Sequence, residues 1–201
     1  MKNLFVLAFL SLISFSAQGQ TAEEYLVKAK DKIGLGDHMG AIADFNKAIE
    51  LDPTNWLSYS GRGIAKGNLG DHRGAIADYN KAIELNPTQS ITYAFRGIAK
   101  KDLTDSRGAI ADFNKAIELD PTYALVYYHR GIVKCTLEDC RGAIADFNKA
   151  IELDPKYAGA YYKRGLAKAI LGDINGACLD WSKAGELGDG EAYDAIKNYC
   201  N

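Results

Sequence analysis

Basic character is the first thing missing from this sequence. The 201-residue chain sets 24 Lys and Arg against 26 Asp and Glu, a net charge of -2, so it has no broad cationic surface to neutralise the phosphates of a nucleic acid. Histidine is scarce at three residues, and the four cysteines include no C-x-x-C pair, which removes the commonest spacing for a zinc ligand pair or a redox dithiol. No apolar run after the first nineteen residues approaches the roughly 20 needed to cross a bilayer. There are only four prolines, and their placement turns out to be the key to the chain. With 47% hydrophobic residues the composition is that of a folded domain and not of a disordered tail.

The first nineteen residues differ from everything that follows. Lys2 supplies a positive start, Leu4 to Ile13 form an apolar run, and Ala17-Gln18-Gly19 offers small residues for cleavage. This is the pattern of a secretory signal peptide over residues 1–19. It predicts a mature chain that begins near Gln20, has no lipid-bearing Cys at that point, and is exported to the periplasm or the exterior.

The prolines, Pro53, Pro87, Pro121 and Pro155, stand 34 residues apart. The phrase G-A-I-A-D-F-N-K-A-I-E-L begins at Gly40, Gly108 and Gly142, a Tyr79 variant begins at Gly74, and a degenerate copy begins at Gly176, again at steps of 34. Such a period signals a repeat architecture. Five units follow, over residues 22–55, 56–89, 90–123, 124–157 and 158–191, with a last segment over 192–201. Within the second unit Tyr59, Gly63 and Lys66 mark one helical stripe and Ala75, Tyr79 and Ala82 another, so each unit reads as a helix-turn-helix hairpin. Asp37, Asp71, Asp105, Asp139 and Asp173 fall at the turns, where a carboxylate accepts orphan backbone N–H groups. Gly63, Gly97, Gly131 and Gly165 sit inside the first helices at a cost of about 1 kcal/mol each relative to Ala, which close approach of the paired helix explains.

These features resemble the tetratricopeptide repeat family: the 34-residue period, Gly63 and its equivalents, Ala75, Tyr79 or Phe45, Ala82 and Pro87. Departures are local. Ala29 replaces the first helix Gly, Thr104 and Glu138 replace the turn glycines seen at Gly36, Gly70 and Gly172, and Asp189 stands where a fifth Pro belongs. The resemblance implies an all-α, right-handed α-solenoid of five hairpins. One hairpin cannot bury its own apolar face, so a C-terminal capping helix is expected, with Ala192, Ala195, Ile196 and Tyr199 covering the last hairpin and Glu191, Asp194 and Lys197 facing solvent.

Catalysis needs several groups converging on one point, and the histidines offer none: His38 and His72 recur at one position roughly 10 Å apart by helix-packing distance, and His129 lies on another helix. Neither a metal, a cofactor nor catalytic residues are expected. Gly61-Arg62-Gly63 lies outside the strand-to-helix context of a phosphate loop. Arg62, Arg96, Arg130 and Arg164 recur with Asp78, Asp112, Asp146 and Asp180, and read as structural ion pairs in preference to a ligand-binding ladder. Four cysteines allow three pairings. Cys178 with Cys200 is favoured, stapling the cap to the last hairpin, while Cys135 and Cys140 are open between a local disulfide and two small residues near a turn.

The resemblance also implies where partners bind: a concave surface lined mainly by the first helix of each hairpin. It carries groove roles onto Leu26, Lys30, Ser60, Ile64, Ala94, Ile98, Tyr128, Ile132, Tyr162 and Leu166. The Lys and Asn residues of relatives that clamp a peptide's terminal carboxylate are replaced by Leu26, Lys30, Gly61, Ile91 and Phe95, so that clamp is absent. A mostly apolar stripe ending in two tyrosines suits an extended or helical segment with apolar anchors. The expected partner is another exported protein or peptide segment, with self-association as the alternative and a small-ligand receptor less favoured.

Overall fold

The computed structural model describes residues 21–200; the signal sequence expected over residues 1–19 lies outside them. Eleven helices and no strand are found among the described residues: α1 (Ala22–Gly34), α2 (His38–Leu51), α3 (Trp56–Asn68), α4 (His72–Leu85), α5 (Ser90–Asp102), α6 (Ser106–Leu119), α7 (Ala124–Thr136), α8 (Cys140–Leu153), α9 (Ala158–Ile170), α10 (Ile174–Glu186) and α11 (Glu191–Tyr199). They pair into five hairpins, α1–α2 through α9–α10, stacked as a right-handed solenoid with α11 on the last. None of them is long and apolar enough to cross a membrane.

Local chemistry sets these boundaries. Asp37, Asp71, Asp105, Asp139 and Asp173 each cap the second helix of a hairpin, accepting a hydrogen bond from the backbone N–H of the Gly three residues on, at 2.8 to 3.0 Å. The residue before each cap takes a left-handed conformation. Glycine supplies it at Gly36, Gly70 and Gly172, and Thr104 (φ 63°) and Glu138 (φ 65°) adopt it without that freedom. Tight backbone bonds across the turn hold them there, such as Asp105 N–H to Lys100 O at 2.9 Å and Asp139 N–H to Lys134 O at 2.9 Å.

Hairpin closure rests on small against large. Phe45, Tyr79, Phe113, Phe147 and Trp181 are all buried, and the last four lie directly over Gly63, Gly97, Gly131 and Gly165. A β-carbon added at Gly97 would stand 2.7 Å from the Phe113 ring, and one at Gly165 would stand 2.6 Å from Trp181 Nε1. The added bulk of Gly97→Leu therefore has to push α5 and α6 apart, and a loss of about 2 kcal/mol in urea unfolding is expected.

Neighbouring hairpins are joined by a polar seam. Each of Asp78, Asp112, Asp146 and Asp180 is 4% exposed and takes two hydrogen bonds from an Arg of its own hairpin: Arg96 gives Asp112 bonds of 2.9 Å from Nε and 2.6 Å from Nη2. A lysine adds a third contact, Lys100 to Asp112 at 2.8 Å. The remaining Nη1 donates backwards to an Asn of the preceding hairpin, as Arg96 does to Asn80 at 2.8 Å. The same set recurs at Arg62 with Asn46, Arg130 with Asn114 and Arg164 with Asn148. Each guanidinium also lies over a tyrosine ring, Arg96 over Tyr93 at 5.4 Å. The recurring arginines are thus structural ties and not a free cationic ladder.

The cap differs from the expected segment at its first residue, and one of its covering side chains stays exposed. The helix starts at Glu191, one residue before the expected segment, and Tyr199 is 59% exposed. Ala192 and Ala195 do bury against the last hairpin, with Ile196 partly buried. Counting along the repeat, Tyr199 occupies the position of the hairpin glycines. No second helix closes on it, so its ring tilts over Trp181 at 5.7 Å between centroids with one side open.

Candidate binding groove

The first helices of successive hairpins line the concave face, and shallow depressions follow one another along it. One of about 260 Å³ lies among Ile33, Phe45, Trp56, Leu57, Ile64 and Ile91, with Lys30 and Ser60 at its margin. Gly61 deepens it, because a β-carbon there would collide with the Phe45 ring. Ile64 is shared with the next depression, about 130 Å³ among Phe95, Ile98, His72 and Asp102. Farther along, about 270 Å³ opens among Ile132, Cys135, Lys163, Leu166 and Ile170. Leu166 and Ile170 also border a fourth of about 330 Å³, with Trp181 and Tyr199.

Seven of the ten groove residues expected from sequence are at least partly exposed: Lys30, Ile64, Ile98, Ile132 and Leu166 line the depressions, while Tyr128 and Tyr162 line none of those described. Leu26, Ser60 and Ala94 are buried, although Ser60 also lines the first depression. They are 1%, 4% and 1% exposed and belong to the packing between helices; Ser60 faces Thr92 across the seam, hydroxyl to hydroxyl at 3.5 Å. Tyr128 and Tyr162 occupy that same repeat position, and only their length carries them out to the surface. Tyr128 also does core duty, its ring 4.8 Å from Tyr157 and 6.1 Å from Phe147. Burial raises its hydroxyl pKa, with Asp189 and Glu191 adding to the effect. Tyr162 carries Lys163 over its ring at 5.0 Å. Burial, then the Glu191 carboxylate beside it, raises the Tyr162 hydroxyl pKa. Glu191 is exposed to solvent and lies beside the Tyr162 hydroxyl.

The middle of the groove is polar, a feature that sequence reasoning missed. Asp102 sits 2.8 Å from Lys101 and 3.8 Å from His72, next to His129, whose ring stacks on Phe113 at 6.2 Å. Burial first, and Lys101 second, lower the His129 pKa from 6.5 to about 4. A base whose folded pKa is depressed favours the folded state above its unfolded pKa, and this contribution is lost as pH falls through the folded value. Stability should therefore drop between pH 6.5 and pH 4. His129→Phe, which copies Phe95 at the same repeat position, should flatten that region of the pH profile in thermal unfolding.

The four cysteines form two disulfides. Cys178 and Cys200 join α10 to α11 with a Cα–Cα distance of 5.8 Å, and Cys135 and Cys140 bridge the α7–α8 turn at 4.3 Å. Gly61, Arg62 and Gly63 lie inside α3, past its first turn. Among the described residues no three His, Cys, Asp or Glu side chains are placed to hold a metal ion.

A stack of helical hairpins with a concave, largely apolar face defines a class, the α-solenoid repeat proteins, and the comparisons narrow it. Tetratricopeptide repeat models match residues 25–55 and 56–89, and a TPR repeat model matches 107–135 and 137–172. The chain belongs to the tetratricopeptide repeat family. The crystal structure of MamA is 28% identical with a TM-score of 0.71, covering 82% of this chain and 96% of that one. YrrB, described as a TPR protein with an unusual peptide-binding site, is 22% identical with a TM-score of 0.70, covering 94% of this chain and 98% of its own. The Protein SGT1 homolog of Oryza sativa subsp. japonica is 44% identical over 52 residues, 26% of this chain and only 14% of that protein's length.

Proposed function

We propose that this chain is a non-catalytic scaffold of the cell envelope that holds a segment of another exported protein in its concave groove. The run of depressions that share Ile64, and then Leu166 and Ile170, carries the reading. Linked apolar hollows broken by a polar middle suit an extended or helical polypeptide with spaced apolar anchors, not one small molecule. The peptide-binding site named for YrrB supports a peptide as occupant, and the signal-like residues 1–19 support export. Stacking of copies end to end is less favoured. At the positions where interior hairpins carry the buried Ser58 and Ala65 and the seam residue Arg62, the first hairpin carries Glu24, Asp31 and Lys28, and both acids are exposed.

Affinity capture of the tagged full chain from its native envelope tests this reading. Tyr128→Ala with Tyr162→Ala should weaken capture of a specific polypeptide at least about tenfold, as loss of aromatic anchors does. Because Tyr128 also packs internally, helical content is measured alongside and Tyr162→Ala is tested alone. Undiminished capture by both folded variants would contradict the groove.

A further inference from the structure

The two disulfides sit in different surroundings. Cys178–Cys200 ties α11 to the hairpin that it covers, 22 residues apart. Cys135–Cys140 spans only 5 residues, and its turn needs no staple. The turn is already closed by Glu138 N–H to Cys135 O at 3.0 Å and Asp139 N–H to Lys134 O at 2.9 Å. The preceding hairpin makes the same bonds, Thr104 N–H to Lys101 O at 2.9 Å and Asp105 N–H to Lys100 O at 2.9 Å, with Lys101 and Ser106 at the two cysteine positions. A cross-link stabilises more the longer the loop it closes, so this one adds least where the chain least needs it.

Its location gives it other work. Cys135 lines the groove depression shared with Ile132, Lys163 and Leu166, and it is the more accessible of the two sulfur residues, Cys140 being 4% exposed. Cys140 is the first residue of α8, and in an attack on Cys135 Sγ it is the sulfur that leaves. The adjacent Asp139 carboxylate is itself engaged by Gly142 N–H at 2.8 Å.

We propose that Cys135–Cys140 is a thiol–disulfide exchange site for a cysteine of the polypeptide held in the groove, an inference that rests on the groove reading above. The client thiolate attacks Cys135 Sγ, a mixed disulfide forms, and Cys140 departs as a thiolate. A second client thiolate then attacks the client sulfur of that mixed disulfide, and Cys135 is released. Two electrons pass from the client's dithiol to the Cys135–Cys140 disulfide, the client gains a disulfide, and the two thiolates take up the protons that its thiols gave up. The exchange is stoichiometric with the chain's own disulfide as oxidant.

The test mixes the oxidised full chain at neutral pH with a single-cysteine apolar peptide or with glutathione, quenches with iodoacetamide, and maps adducts by mass spectrometry. The expected result is an adduct on Cys135 with Cys140 alkylated, while Cys178–Cys200 stays closed. The peptide should react about tenfold faster than glutathione, because binding raises its local concentration, and Tyr162→Ala should remove that advantage. The double variant Cys135→Ser, Cys140→Ser should keep its helical content and form no adduct. Opening of Cys178–Cys200 first, an adduct on Cys140, or no adduct until the chain unfolds would overturn the exchange site. An adduct on Cys135 with equal peptide and glutathione rates would overturn the groove-held client while leaving the sulfur chemistry in place.

Discussion

Asp112→Ala should cost about 3 kcal/mol of stability, the lower end for breaking a buried ion pair. The Asp112 side chain is 5% exposed and holds Arg96 through two bonds and Lys100 through one. Without it the guanidinium keeps only Asn80 and the Tyr93 face. Partial exposure of Arg96 and Lys100, 17% and 22%, lets water relieve some of the loss. In a solenoid each hairpin contacts only its neighbours, so weakening the central hairpin should also divide urea unfolding into two steps. Asn80→Ala removes one exposed bond of the same tie, and a loss of about 1 kcal/mol with a single transition is expected.

Removing the C-terminal staple is the other large effect. In the chain-entropy account a cross-link closing a loop of 22 residues contributes about 3 kcal/mol, and α11 has otherwise mainly Ala192, Ala195 and Ile196 to hold it to the last hairpin. Cys178→Ser with Cys200→Ser should therefore free the cap before the rest of the chain melts. Hydrogen exchange should lose protection over residues 191–200. Trp181, fully buried and partly covered by Tyr199, should shift its fluorescence to longer wavelength at a lower temperature than the loss of helix signal. Coincident loss of both signals at the wild-type temperature would show that packing alone holds the cap.

Much of this fold is legible in the sequence because it is local and repeated. The turn Asp of each hairpin caps the helix that follows through a bond three residues long, and Gly97 opposite Phe113 follows from the helical stripes of a single hairpin. The Arg96–Asp112 pair is legible for the same reason. The tie from Arg96 back to Asn80 is not, since it depends on how far one hairpin is rotated on the next, a quantity that no single period contains. The same rotation decides the groove. It pushes Leu26, Ser60 and Ala94 into the packing, whereas Tyr128 and Tyr162 at the same repeat position emerge by their length. Tyr199 lies over Trp181 yet stays exposed itself, because the period puts it where a hairpin glycine stands, with no partner helix to bury it. The central cluster of His72, Lys101, Asp102 and His129 is hidden from the sequence because its members come from three different hairpins.

The concave face as the binding surface is tested most directly by site-specific photocrosslinking in the native envelope. A photoreactive residue replaces Ile98 or Ile132 in the groove, or the exposed Ala111 or Ala145 on the second helices. One other polypeptide should be captured from Ile98 and Ile132 and not from Ala111 or Ala145. Capture of equal strength from Ala111 and Ala145, or of a second copy of this chain alone, would contradict it.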